Sequence, residues 1–135
     1  MDATARIRPD GIALEESFPK IKSDYPDILF MADCSTARDG IFAEKLGFDL
    51  VGTTLAGYTE ETKTRILPDY KLIQDPISKL NIPVVAEGGI LSPEQMTKAF
   101  EKGAHCCVVG GAITRPRQIT ERFVESLPKY CCTER

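Results

Sequence analysis

The stretch Cys106-Cys107-Val108-Val109-Gly110-Gly111-Ala112-Ile113-Thr114-Arg115-Pro116 reads as a buried strand that runs into a double glycine, then a short turn carrying one arginine. A helix is expected to open at Pro116. Glycine has no Cβ, so backbone N–H groups at Gly110 and Gly111 can come close to an anion. The guanidinium of Arg115 would add a fork of donors suited to phosphate oxygens. A plain strand-to-helix turn with a solvated Arg115 has the same sequence. The fold turns on whether this unit of strand, turn and helix recurs upstream.

It recurs three times. Ile82-Pro83-Val84-Val85-Ala86 predicts a strand that stops at Glu87, with Gly88 and Gly89 after it. Ser92-Pro93-Glu94-Gln95 then has Ser at the cap, Pro at the first helical position and Gln at the third, and its helix should end near Gly103. Upstream, residues 48–53 predict a strand closing in Thr53-Thr54, followed by a long loop over 55–67 and a helix over 69–80. A loop of that length in a small domain often serves as a lid or binding loop. Ile28-Leu29-Phe30-Met31-Ala32 is an unbroken apolar run, the mark of a strand buried on both faces, and it ends at Asp33. Ser35 and Thr36 can cap a helix to about Leu46, with Gly47 as its stop. Before these units, Ala13, Leu14, Phe18 and Ile21 fall at helical spacing within 12–25, although Pro19 is expected to kink or end that helix. Residues 2–11 read as a loop.

Strands alternating with helices indicate βαβ units and a parallel sheet, an α/β fold. In a parallel sheet the strand ends lie on one edge, where such folds bind ligands. Asp33, the pair Thr53 and Thr54, Glu87 and the Gly110-Gly111-Arg115 turn therefore converge on one rim. In βα-barrels a phosphate site sits in the loops after the last two strands, often with a short extra helix. Each polar residue also has a plain reading. Asp33 can be a turn or capping residue, and the threonines can satisfy backbone groups at the strand end. Glu87, between an apolar strand and two glycines, is poorly placed as a solvated surface charge, which points to catalysis or ligand binding.

The 135 residues are 42% hydrophobic and 27% charged, which suits one soluble domain, expected over 1–128 with a fraying tail at 129–135. The net charge of −3 supplies no basic footprint for nucleic acid. No apolar run nears the roughly 20 residues that span a bilayer, so no membrane partner is expected. The first six residues lack the apolar core of a signal peptide, and a cytoplasmic location is expected. The five cysteines (Cys34, Cys106, Cys107, Cys131 and Cys132) form no C-x-x-C pair, and His105 is the single histidine. Reduced thiols and no metal site follow.

Together, Met31-Ala32-Asp33-Cys34-Ser35-Thr36, Gly47-Phe48-Asp49, Gly52-Thr53-Thr54-Leu55-Ala56-Gly57-Tyr58-Thr59, Val85-Ala86-Glu87-Gly88 and Val109-Gly110-Gly111-Ala112-Ile113-Thr114-Arg115-Pro116 resemble the N-acetylmannosamine-6-phosphate 2-epimerases. Asp2-Ala3-Thr4 and Arg8-Pro9 resemble the loop after that family's fourth strand. The resemblance implies a (β/α)₈ (TIM) barrel that interconverts the 6-phosphates of N-acetylmannosamine and N-acetylglucosamine in sialic acid and amino-sugar catabolism. A proton would leave C2 of the open-chain sugar and return to the opposite face, with no metal or organic cofactor. By motif, Glu87 and Asp33 resemble catalytic acids, Thr54, Tyr58 and Gly88 line the substrate, and Gly110, Gly111 and Arg115 hold the phosphate of an N-acetylhexosamine. Other phosphate-binding barrels, of the tryptophan or thiamine pathways, fit the Gly-Thr-Thr-Leu and Ala-Ile-Thr-Arg-Pro stretches less well.

The resemblance reaches only strands five to eight of that barrel. The family's catalytic lysine, from its third strand, has no counterpart here, and Lys45, Lys71 and Lys98 fall on predicted helices. A barrel of this kind takes about 250 residues. The chain is therefore expected to be a C-terminal half, inactive alone, that associates with another copy or with the missing N-terminal half. A non-catalytic phosphosugar-binding or self-associating fragment is the alternative.

Overall fold

Four strands pair side by side in chain order, all parallel: β1 (Met31–Asp33), β2 (Leu50–Gly52), β3 (Val84–Glu87) and β4 (Cys106–Val108). The computed structural model describes residues 1–128 apart from 5, 7 and 78; the expected tail at 129–135, with Cys131 and Cys132, lies outside the described residues. Helices α1 (Leu14–Asp24), α2 (Ala37–Leu46), α3 (Tyr70–Ile77) and α4 (Pro93–Glu101) alternate with the strands. A short α5 (Gly111–Thr114) and then α6 (Pro116–Glu125) follow β4. Doubly wound sheets reverse strand order at a switch point, whereas a barrel wall keeps it sequential. Order β1-β2-β3-β4 is therefore an arc of a barrel-type α/β fold.

The strands are shorter than their apolar runs. Ile28 and Leu29 were expected inside a buried strand, yet they are 52% and 73% exposed. Pairing with β2 starts only at Met31↔Leu50, so the run before it has no ladder to join. Asp49 anchors this entry, accepting the Phe30 N–H at 2.8 Å and pairing with Lys22. The Lys22 ammonium beside it, with the Phe30 N–H, holds the Asp49 carboxyl below the usual range. The expectation of a buried last strand also fails: Cys106 is exposed and Val108 is 41% exposed. β4 is the sheet's edge, and no strand among the described residues covers its outer side.

Residues 2–4 are more than the loop expected there. Asp2 bridges Asp33 in parallel, Ala3 N–H donates to the Asp33 carbonyl at 2.9 Å, and Ala3 is fully buried. The opposite side of β1 is thus already paired with a strand-like segment.

Helix ends follow the sequence closely. Thr36 caps α2 in a capping box with Asp39, and Gly47 ends it at φ 95°. Ser92 and Gln95 make the second box at the start of α4. Each cap of this kind contributes about 1 kcal/mol. Pro19, in contrast, neither ends nor shortens α1, which continues to Asp24. Its missing N–H deprives only the Glu15 carbonyl, and both residues are exposed, so water can take the partner's place. The described α3 begins one residue later and ends three earlier than expected, and residue 78 is not described.

The helices bury the outer face of the arc. Phe18 of α1 stacks on Phe48 with ring centroids 3.8 Å apart and meets Phe30 edge-on at 5.5 Å. These rings pack with Ala32, Ala43 and Val51. A second cluster of Ile73, Ala86, Ile90, Ala99 and Ala104 ties α3 and α4 to β3. The strand ends are thereby fixed against a rigid layer.

Candidate functional site

All four strands end on one side of the sheet: Asp33 pairs with Gly52 and Glu87 with Val108, while Gly52 pairs with Val85, so β3 and β4 run two residues further and Thr54 comes to the level of Glu87. Thr53 and Thr54 leave β2 between the two acids. The Thr53 hydroxyl accepts the Glu87 N–H at 2.9 Å and donates to the Glu87 carbonyl at 2.8 Å. That double bond fixes the backbone of Glu87 where β3 would otherwise fray. Thr53 is itself buried, so its role is the structural one. The Thr54 hydroxyl lies 2.9 Å from Asp33 Oδ1 and 3.1 Å from Glu87 Oε2. The two carboxyl groups are thus joined through one side chain.

A cleft of about 460 Å³ opens beside Glu87. Its lining includes Thr54, Tyr58, Glu87, Gly88, Gly110, Gly111 and Arg115. Seven of the eight candidate residues read from the sequence therefore surround one space, of a size that suits small-molecule ligands. Asp33 is the exception: it stands behind Thr54, outside the lining. It does not cap α2 either, since Asp39 takes that place by accepting the N–H groups of Ser35 and Thr36. Among the described residues no lysine lines the cleft; Lys45, Lys71 and Lys98 lie on α2, α3 and α4, as expected.

The two glycine pairs do different work. Gly88 and Gly89 have φ of 100° and 71°, a region side chains avoid, and a Cβ on Gly89 would lie 2.4 Å from the Leu67 Cβ. The turn after Glu87 is consequently locked against the end of the 55–67 loop. At the other wall, Gly110 has nothing within 4 Å of where its Cβ would be, so its backbone faces open space. Arg115 is exposed and has no ion-pair partner among the described residues, which leaves its guanidinium available for an anion. Glu87 and the glycine-lined turn that carries Arg115 thus border the same cleft.

The 55–67 loop is not an open lid. Thr62 is fully buried, its hydroxyl accepts the Gly57 N–H at 3.0 Å and it sits 2.7 Å from the Thr59 hydroxyl. The loop is a stapled wall that presents an exposed Tyr58 to the cleft. Gln118, in the first turn of α6, also lines the cleft and was not read as a site residue. Its signal was its spacing, three residues after Arg115 on a helix opened by Pro116. Cys34, next to Asp33, is buried, and burial, with the Asp39 and Asp33 carboxylates, pushes its thiol far up, out of nucleophilic range.

A second cleft of about 440 Å³ is lined by Arg6, Arg8, Arg38 and Phe42. Its cations are engaged: Arg8 donates to the carbonyls of Asp2, Thr4 and Arg6, Arg6 pairs with Asp2, and Arg38 with Glu61. Of the two carboxylates that line it, Glu15 and Asp39, the second already accepts the N–H groups of Ser35 and Thr36.

Comparison with known proteins gives a consistent result. The model of the family described as "Putative N-acetylmannosamine-6-phosphate epimerase" matches residues 1–129. A protein of Caldanaerobacter subterraneus named "Putative N-acetylmannosamine-6-phosphate 2-epimerase" is 54% identical over 92% of this chain and 52% of its own length. One of the same name from an Enterobacter species is 50% identical over 96% of this chain and 56% of its own length. The solved N-acetylmannosamine-6-phosphate 2-epimerase of Clostridium perfringens superposes with a TM-score of 0.87 at 47% identity, over 94% of this chain and 55% of that one. Thiamine phosphate pyrophosphorylase of Pyrococcus furiosus, at 21% identity and a TM-score of 0.59 over 87% of this chain and 55% of its own, shares the fold alone. The chain spans about half the length of the relatives it matches.

Proposed function

The chain belongs to the N-acetylmannosamine-6-phosphate epimerase family, and from that premise we propose that its cleft is the carboxylate and phosphate side of a cytoplasmic sugar-phosphate epimerase site. The reaction interconverts the 6-phosphates of N-acetylmannosamine and N-acetylglucosamine by removing a proton at C2 and returning one to the opposite face. The observation that carries this reading is the single cleft that Glu87 shares with Gly110, Gly111 and Arg115. A sugar phosphate has that polarity: a reacting carbon near its aldehyde end and a dianion at the far end.

Each role follows from chemistry. Arg115 and the backbone of Gly110 and Gly111 hold the phosphate by charge-assisted hydrogen bonds. Glu87 acts where the proton moves or charge develops at the carbonyl, with Asp33 joined to it through Thr54. Tyr58 and Gly88 shape the wall beside the sugar. No metal or organic cofactor enters this scheme.

The arc corresponds to the C-terminal half of the barrel. Residues 1–4 then stand for the end of the fourth strand, which explains why they pair in parallel with β1. Among the described residues no lysine lines the cleft, and proton traffic on two faces of C2 needs a second base. The chain alone therefore binds phosphosugar without turning it over, which joins the alternative reading to the first.

The exposed flank follows too. Val108, Ile113, Phe123 and Val124 are 41%, 68%, 72% and 58% exposed on β4, α5 and α6. Surfaces of this kind rarely stay bare in solution. We expect self-association at micromolar concentration, or capture of an N-terminal half when one is supplied. Sedimentation velocity checks this, and a compact monomer under both conditions would contradict it.

A further inference from the structure

Resting on the epimerase reading above, we infer that Thr54 is a positioning residue that couples Asp33 to Glu87 through its hydroxyl, rather than a direct ligand of the sugar. The argument is one of counting hydrogens. A threonine hydroxyl carries one proton and can accept from other donors. Two carboxyl oxygens lie within hydrogen-bond distance of it, at 2.9 and 3.1 Å. While both acids are ionised, Thr54 can donate to only one of them, and the other contact brings two acceptors together. When Glu87 takes up a proton during the reaction, both contacts become hydrogen bonds at once: Glu87 donates to Thr54 Oγ1, and Thr54 donates to Asp33 Oδ1. A concerted shift of these two protons returns Glu87 to its ionised form and leaves Asp33 holding the proton. Bonds and charges balance, because each oxygen that loses a proton gains one or keeps its lone pair.

The backbone is arranged for this bridge. Gly52 stands level with Asp33, and a Cβ there would come within 2.9 Å of Thr54 Oγ1. Only a glycine at that level lets the hydroxyl fold back between the acids. Thr53 meanwhile holds both backbone polar groups of Glu87, which fixes the backbone from which its carboxyl reaches Thr54. Asp33 lies outside the cleft lining and has no other route to it among the described contacts with Glu87. With its hydroxyl set between two acids, Thr54 has no proton free to donate to the sugar.

The test needs no turnover. In the chain labelled with ¹³C at side-chain carboxyl carbons and held at one neutral pH, Thr54→Val should move both the Asp33 Cγ and the Glu87 Cδ resonances. Thr54→Ser, which keeps the hydroxyl, should leave both near their original positions. If Thr54→Val fails to fold, Thr54→Ala makes the same cut. Affinity for N-acetylmannosamine 6-phosphate, titrated on the same samples, should stay within about twofold in the valine variant, since uniform binding is not what the bridge supplies. A shift at neither carbon or at only one, or a serine variant that moves like valine, overturns the coupling. Affinity lost by about tenfold or more makes Thr54 a sugar ligand and overturns it as well. Absence of any sugar binding by the unsubstituted chain would refute the epimerase reading instead, and the two carbon signals would still decide the bridge.

Discussion

Incubated in deuterated water with N-acetylmannosamine 6-phosphate, the 135-residue chain by itself should show no wash-in of deuterium at C2. The expectation rests on what the cleft contains. Glu87 reaches it, Asp33 stands behind Thr54, and no lysine among the described residues lines it. Epimerisation takes a proton from one face of C2 and gives one to the other, which a single carboxyl on one wall cannot do at both faces. Supplying the first four βα units of a relative should restore exchange, because they complete the wall opposite. Proton NMR of the recovered sugar reads this directly. Turnover by the chain alone at about 1 s⁻¹ or more, a rate typical of enzymes, would show that the groups present suffice.

In the barrel completed in that way, Glu87→Gln and Arg115→Ala should fail differently. Glutamine keeps the shape of the side chain and removes its ability to carry a proton. The loss should therefore fall on kcat, by roughly 10² or more, with KM nearly unchanged. Arg115 meets the phosphate, which is the same group in substrate and transition state. Its removal should chiefly raise KM, by roughly ten- to a hundredfold, the equivalent of about 1.5–3 kcal/mol for a charge-assisted contact. Steady-state kinetics with phosphorylated and unphosphorylated N-acetylmannosamine separates the two. A Glu87→Gln variant altered only in KM, or an Arg115→Ala variant altered only in kcat, would reverse the assignments.

Local chemistry was readable from the residues, and distances between elements were not. Thr36 with Asp39, Ser92 with Gln95, and Gly47 are signals carried within four or five residues, and the helix ends fall where they point. Strand limits depend on where a neighbour begins to pair, so Ile28 and Leu29 looked like a strand and lie in the open. The exposure of β4 is likewise a property of its position at the edge. Convergence of Thr54, Glu87 and Arg115 followed from parallel strands sharing one rim, a rule of topology that a sequence pattern can invoke. The bridge through Thr54 required the space left by Gly52 on the same strand and the register of two others. Nothing in the spacing of Asp33, Thr54 and Glu87 reveals it. Pro19 does not end its helix, and the residue whose carbonyl it deprives, Glu15, is exposed to water.

The claim at the centre of this account is that the rim cleft is a phosphosugar site with its phosphate end at Arg115. Titrating ¹⁵N-labelled chain with N-acetylmannosamine 6-phosphate, beside the unphosphorylated sugar, tests it most directly. The account predicts amide shifts centred on Glu87, Gly88, Gly110, Gly111 and Arg115, and affinity at least about tenfold weaker without the phosphate. Equal affinity for the two sugars, or shifts centred on the cleft of Arg6 and Arg38, would contradict it.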